Sequence, residues 1–353
     1  MRLSKKILTF IMFIIMITAT LIGSVQKNVM ISSNVVSRQI VRVAVPLFKI
    51  DDPYMSLVRQ SLEKIQKANE GKVEFTFFDG QGNQSLQNEL IDSVLQNNFD
   101  LLLVNLVTIN TSSSTVEKII NKANEKNIPI IFFNIAPDKI DAIKPYKKAI
   151  IIASDDKQAG ILQGKILVDA WNANKNAIDR NGDNILQYVM LSGPRNNTAT
   201  TARTLYSVLT INNAGIKTNE LSSQTANWDK DLAKNAIESL FLKFGGNIEA
   251  IIANNDAMAI GAIEALQKYG YNTGDKTKTI LVVGIDAIPE AQDLIRKGFM
   301  AGSVLQAPED LAEALYRVGM NLVDNKNPLE GTGYKFDETG ITIKLPYYEY
   351  ISQ

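Results

Sequence analysis

The chain has no cysteine and no histidine. The first absence removes disulfides, thiol nucleophiles, thiolate metal sites and any lipobox thiol for acylation. The second removes an imidazole general base and the commonest metal-binding side chain. A metal here is held by oxygen if at all, which points to calcium or magnesium. An excess charge of either sign is missing too. Lys and Arg number 37 against 37 Asp and Glu, so no broadly basic surface offers itself to nucleic acid. The 353 residues, 45% of them hydrophobic, are enough for two domains with substantial cores.

Residues 7–23 form an almost wholly apolar run behind Arg2, Lys5 and Lys6. The run is long for the apolar part of a signal peptide and slightly short for a membrane span. Its small-residue cleavage pattern is weak. Residues 1–24 therefore read either as a cleaved signal peptide or as a retained N-terminal anchor, and both place the globular part outside the cytoplasmic membrane. Residues 25–40, mixed in character with several Ser and Asn, read as a linker.

From residue 41 onward short apolar runs alternate with amphipathic stretches. The runs fall at 41–47, 73–78, 101–107, 128–134, 149–154, 186–191, 248–254, 280–286 and 302–306, and most lack a clean polar–apolar alternation. That marks strands buried on both faces, as in parallel sheets covered by helices. Stretches such as 54–68, 84–96 and 257–268 supply the helical pattern. The expected fold is α/β, with two doubly wound parallel-sheet lobes. Ligands of such sheets bind beyond the carboxyl ends of the strands. There the sequence places Asp51 and Asp52, Asn105, Asn134, Asn254 to Asp256, Asp286 and Gln306. Amides and carboxylates together both donate to and accept from hydroxyls, which suits a polyol.

A second signal lies in the nine residues from Asp179 to Gln187. Oxygen-bearing side chains stand at positions 1, 3, 5 and 9 (Asp179, Asn181, Asp183 and Gln187), and Ile185 at position 7 offers its backbone carbonyl. This is the oxygen pattern at the start of an EF-hand loop. The Glu expected at position 12 is replaced by Met190, inside an apolar strand pattern. Taken alone, the segment is either a calcium loop completed from elsewhere or a polar turn.

Several segments together resemble the periplasmic glucose/galactose-binding proteins, within the type I periplasmic binding proteins. They are Asp51-Asp-Pro-Tyr54, Asn105-Leu-Val, Phe132-Phe-Asn134, the Asp179–Gln187 loop and Ala202-Arg203-Thr. Thr225-Ala-Asn-Trp228-Asp, Ala253-Asn-Asn255-Asp256-Ala-Met and Gly284-Ile-Asp286 complete the set. The resemblance implies two lobes joined by three hinge crossings, one of 41–134 with 307–343 and the other of 135–306 with 344–353. It implies a sugar held by Asp52, Asn105, Arg203, Asn255 and Asp286, with Trp228 and Tyr54 against its two faces. Tyr54 stands in place of the family's Phe. Asn197 and Gln306 also fall at sugar-binding positions, replacing a His and an Asn, and Ala199 replaces an Asp. The resemblance makes Glu249 the missing bidentate ligand of a Ca2+ site with Asp179, Asn181, Asp183, Ile185 and Gln187.

The function so implied is a monomeric solute-binding protein, not an enzyme, that delivers a monosaccharide to an ABC importer permease. Galactose or glucose comes first among the sugars. The alternative is an anchored sensor module that signals to a membrane receptor or histidine kinase.

Overall fold

The computed structural model describes residues 39–107, 113–137 and 140–352. The leader, and the linker up to residue 38, lie outside the described residues. The chain divides into Met1–Ile40 and Val41–Gln353, and everything below concerns the second unit. Among the described residues no helix is long and apolar enough to cross a membrane.

Strands β1 (Val41–Leu47), β2 (Val73–Asp79), β3 (Leu101–Val104), β4 (Ile130–Asn134) and β5 (Ala149–Ser154) alternate with helices α1 (Pro53–Ala68), α2 (Gln84–Gln96) and α3 (Ser113–Glu125). The chain continues through α4 (Asp156–Ile178), β6 (Ile185–Ser192), α5 (Thr198–Asn213), β7 (Lys217–Thr225) and α6 (Lys230–Phe244). Then come β8 (Ala250–Ala253), α7 (Asp256–Gln267), β9 (Leu281–Val283), α8 (Pro289–Arg296) and β10 (Ser303–Leu305). Helix α9 (Pro308–Val323) and strands β11 (Thr342–Leu345) and β12 (Tyr348–Tyr350) close the sequence of elements.

One sheet runs β11-β5-β4-β3-β1-β2, with every pair parallel. The other runs β7-β6-β8-β9, again parallel. Bridges from Val283 to Gly302 and from Asp286 to Leu305 continue it toward β10, which pairs antiparallel with β12. The strands are buried on both faces for the reason their composition gives. Leu101 and Leu103 enter one core of the first lobe with Ile131 and Phe133, while Leu102 and Val104 enter the core behind the sheet with Ile130 and Phe132. In the second lobe Val189 and Leu191 face one core, and Leu186, Tyr188 and Met190 the other.

The chain passes between the sheets at Ser154–Asp155, between Leu305 and Pro308, and between Leu345 and Tyr348. The first and last passages differ from the sequence-based boundaries. Residues 149–154 belong with the first sheet, because the fully buried β5 pairs with β4 on one side and β11 on the other. Likewise 344 and 345 complete β11 before the chain leaves. Helix α9 returns to the first lobe, where Leu311, Leu315 and Val318 join its core. Gly319 lets the helix approach so closely that an added Cβ would lie 2.5 Å from Leu101 Cδ2.

A buried amide fixes the chain just after β3. Gln87 on α2 is fully buried; its Nε2 donates to the carbonyl of Asn105 at 2.8 Å and its Oε1 accepts from the amide of Val107 at 2.8 Å. Gln87→Ala would leave both backbone groups unpaired out of water, a loss of about 1–3 kcal/mol per group at most. Urea unfolding should therefore show a lower midpoint with an unchanged slope.

Candidate functional site

A narrow cleft opens at the carboxyl ends of both sheets, where ligands of such sheets bind. The first lobe contributes Phe48, Asp52 and Tyr54 from the β1–α1 turn, and Asn134 and Ile135 at and after the end of β4. The second contributes Arg203 from α5, Trp228 before α6, Asn255 before α7 and Asp286 after β9. Gln306 reaches it from a passage between the sheets.

Helix starts place much of this wall. Asp52 caps α1, its Oδ1 accepting from Met55 N at 2.9 Å with a proline at the first helical position. Asn255 caps α7 in the same way, accepting from Met258 N at 3.1 Å, while its Nδ2 donates to the carbonyl of Trp228 at 3.3 Å. Strained backbone gathers at the same place: Asn134 (φ 72°), Asn227 (φ 52°), Trp228 (φ 67°), Asp286 (φ 117°) and Ala287 (φ 50°). Such angles are uncommon for residues with a Cβ and concentrate at ligand sites. The indole of Trp228 lies so close to Gly193 that a Cβ there would stand 2.3 Å from its ring. Only a glycine leaves that room.

Arg203 is buried and fully engaged. Its Nε donates to Asp156 Oδ1 at 2.9 Å, one terminal nitrogen to the carbonyl of Asn254 at 2.9 Å and the other to the hydroxyl of Tyr347 at 2.8 Å. Its guanidinium also lies 5.6 Å from the Trp228 ring centroid. Burial works against its charge, but Tyr347, Asp156 and Asp286 hold it protonated. The carboxyls around it are pushed toward their neutral, protonated forms. Burial raises Asp52 to about 6 against the backbone amides of Met55 and Tyr54. Burial also raises Asp286 well above the usual range, with Arg203 opposing and Asp256, Asp52 and Asp156 adding to the rise.

The structure thus brings together Asp52, Tyr54, Arg203, Trp228, Asn255, Asp286 and Gln306. Asn105 and Asn197 do not line the cleft. Asn105 braces it from behind, its Oδ1 accepting from Phe48 N at 3.3 Å and its Nδ2 donating to the carbonyl of Phe133 at 3.4 Å. Asn197 spends its Oδ1 capping α5, accepting from Thr200 N at 3.1 Å. Ala199, in the first turn of α5, is fully buried and also off the cleft wall. Asn134 and Ile135 join the wall without having been assigned from the sequence; Asn134 was visible there only as one polar strand end among several. Gln306 faces the hinge as well as the cleft, its Nε2 donating to Asn134 Oδ1 and Ser154 Oγ at 2.9 Å each. Asp51 turns outward, its side chain 72% exposed and 3.4 Å from Lys49, so the adjacent carboxylates Asp51 and Asp52 do not form an acid–base pair across a bond.

The Asp179–Gln187 loop closes around its own oxygens. Asp179 Oδ2 accepts from Asn184 N at 3.0 Å, and Asp183 Oδ1 accepts from Ile185 N at 2.8 Å. Glu249, just before β8, reaches the loop and accepts from Arg180 N and Gln187 N, both at 2.9 Å. Among the described residues no three carboxylates already form a cage. The donor chemistry nevertheless suits a hard cation. Asp179 Oδ1 is buried with no hydrogen-bond partner among the described residues. Burial raises the Glu249 carboxyl, with the nearby Asp179 and Asp183 charges adding to the rise.

A model of the periplasmic binding protein domain matches residues 43–327. The chain belongs to the periplasmic binding protein family. The D-galactose/methyl-galactoside binding periplasmic protein of Haemophilus influenzae is 35% identical over 87% of this chain and 88% of its own length. A putative rhizopine-binding protein of Rhizobium meliloti is 28% identical over 72% of this chain and 76% of its own. Among solved structures, an ABC transporter solute binding protein from Bacillus halodurans with bound myo-inositol superposes with a TM-score of 0.70 at 24% identity, over 89% of this chain and 95% of that one. A periplasmic solute binding protein from Actinobacillus succinogenes with bound D-allose gives 0.72 at 20%, over 88% and 97%. The two structures establish the α/β fold shared by this periplasmic binding protein.

The raised Asp52 makes a pH prediction. Its folded value of about 6 exceeds the ordinary 3.8, so the folded state binds the extra proton between these limits. The resulting stability is present below about pH 4 and lost as pH rises through about 6. Asp52→Asn keeps a capping oxygen and removes the titration. Thermal melts of ligand-free protein should show the variant gaining on the parent between about pH 4.5 and 7.5; a constant difference would place the Asp52 carboxyl in water.

Proposed function

We propose that this protein is an extracytoplasmic solute-binding protein that delivers a monosaccharide, with galactose or glucose first, to an ABC importer permease as a monomer. The observation that carries the reading is the pairing of Tyr54 on one lobe with Trp228 on the other across a cleft rimmed by Asp52, Asn255, Asp286 and Arg203. Aromatic planes suit the C–H faces of a pyranose, and planar carboxylates, amides and a guanidinium suit its rim hydroxyls. The galactoside-binding relative supports galactose. The cleft walls come from both sheets, so ligand contacts from both lobes coexist only when the lobes are closed, and binding shifts the population to that state. The sensor alternative rests on the altered positions Asn197, Ala199 and Gln306 and on the leader, which lies outside the described residues.

We further propose that Asp179, Asn181, Asp183, Gln187, Glu249 and the Ile185 carbonyl hold Ca2+. A bound cation there pins the loop before β6 to the approach of β8, giving structural rather than catalytic service.

Thermal shift against a panel of monosaccharides tests the first proposal. Galactose or glucose should raise the melting temperature, and Trp228→Ala should abolish that rise while the ligand-free protein still melts cooperatively. A variant that keeps its affinity within a few-fold would remove Trp228 from the binding face. For the cation, excess chelator should lower the melting temperature and Glu249→Gln should reproduce much of the loss. An unchanged melt in chelator, with no calcium by elemental analysis, would overturn it.

A further inference from the structure

Tyr54 carries a polar group that nothing among the described residues serves. The side chain is buried in the first turn of α1 and lines the cleft. Its hydroxyl has no hydrogen-bond partner among the described residues. Polar neighbours are close enough to act on it electrostatically: Tyr347, Asp286 and Arg203 from the second lobe and hinge, and Asp52 beside it. They are already occupied in part. Arg203 spends its donors on Asp156, Asn254 and Tyr347, and the Tyr347 hydroxyl bonds Arg203 and Asp156. A buried phenol that pairs with none of these groups is costly unless a ligand completes it.

We propose that the Tyr54 hydroxyl is a specificity-determining group that bonds one hydroxyl of the sugar and rejects analogues lacking that hydroxyl. The inference rests on the monosaccharide reading above and sharpens it. In this assignment the ring packs against the pyranose, and the buried hydroxyl, which has no partner among the described residues, pairs with one sugar substituent once the ligand is seated. One face thus supplies both general sugar affinity and discrimination between sugars. A site built to pair with a ligand hydroxyl disfavours the deoxy analogue because a buried group is then left unpaired.

Calorimetry on the parent and Tyr54→Phe, with galactose, glucose and the monodeoxy analogues of whichever binds tighter, tests this. The variant keeps the ring, and a melting curve checks its fold. It should bind the preferred sugar roughly tenfold or more weakly, in line with the loss of one buried hydrogen bond. One deoxy analogue should show a similar loss on the parent and no further loss on the variant. Equal binding of every sugar by parent and variant, or an equal loss for every analogue, would overturn the assignment while leaving the sugar reading intact. Failure of the parent to bind any sugar in the panel would overturn both.

Discussion

Arg203 sits where the two lobes and the hinge meet, and its donors fix three separate segments at once. Asp156 opens α4 directly after the first passage between sheets, Asn254 follows β8, and Tyr347 lies on the last passage. A buried guanidinium without partners is strongly destabilising, so these segments hold their relative positions or the charge is stranded. The same cation balances the carboxyls of Asp156 and Asp286. Its stem comes from a helix whose start is fixed by the Asn197 cap. The cleft is thus organised around one charge, with aromatic faces and amides set about it.

The hinge carries hydrogen bonds of its own. Asp155 N donates to the carbonyl of Leu345 at 3.1 Å, Tyr347 N to Gln158 Oε1 at 2.9 Å, and Gln306 joins the second passage to Asn134 and Ser154. All three passages are therefore linked at their bases. Motion confined to them would leave the buried strands of each lobe in their own clusters, while Leu57 of α1, which packs against a second-lobe cluster, would shift its contacts. Domain closure about a few terminal residues is the usual repertoire for such an arrangement.

The buried strands were legible because their apolar residues serve two cores at once, giving runs such as Leu101–Val104 and Ala149–Ser154. Strand β7 was not, since Lys217–Thr225 is an edge strand of largely polar residues that pairs with β6 on one side. The first passage falls later than the sequence suggests, since nothing local to Ala149–Ser154 reveals which sheet β5 joins. The cleft itself was largely legible from its strand-end residues and from the family resemblance. Asn197 and Asn105 escaped it for a shared physical reason: an asparagine near a strand end or helix start satisfies backbone groups as readily as a ligand. Tyr54 reads as a stacking ring in the sequence, and only its packing exposes the hydroxyl's lack of a partner.

The central claim, that a monosaccharide is held between two lobes that close upon it, is tested most directly by small-angle X-ray scattering of the parent with and without saturating galactose or glucose. The account predicts a smaller radius of gyration with the bound sugar and no contraction with a polyol that fails to bind. Sugar binding proven by calorimetry, yet accompanied by an unchanged scattering profile, would contradict closure and place the ligand in a cleft that is already formed.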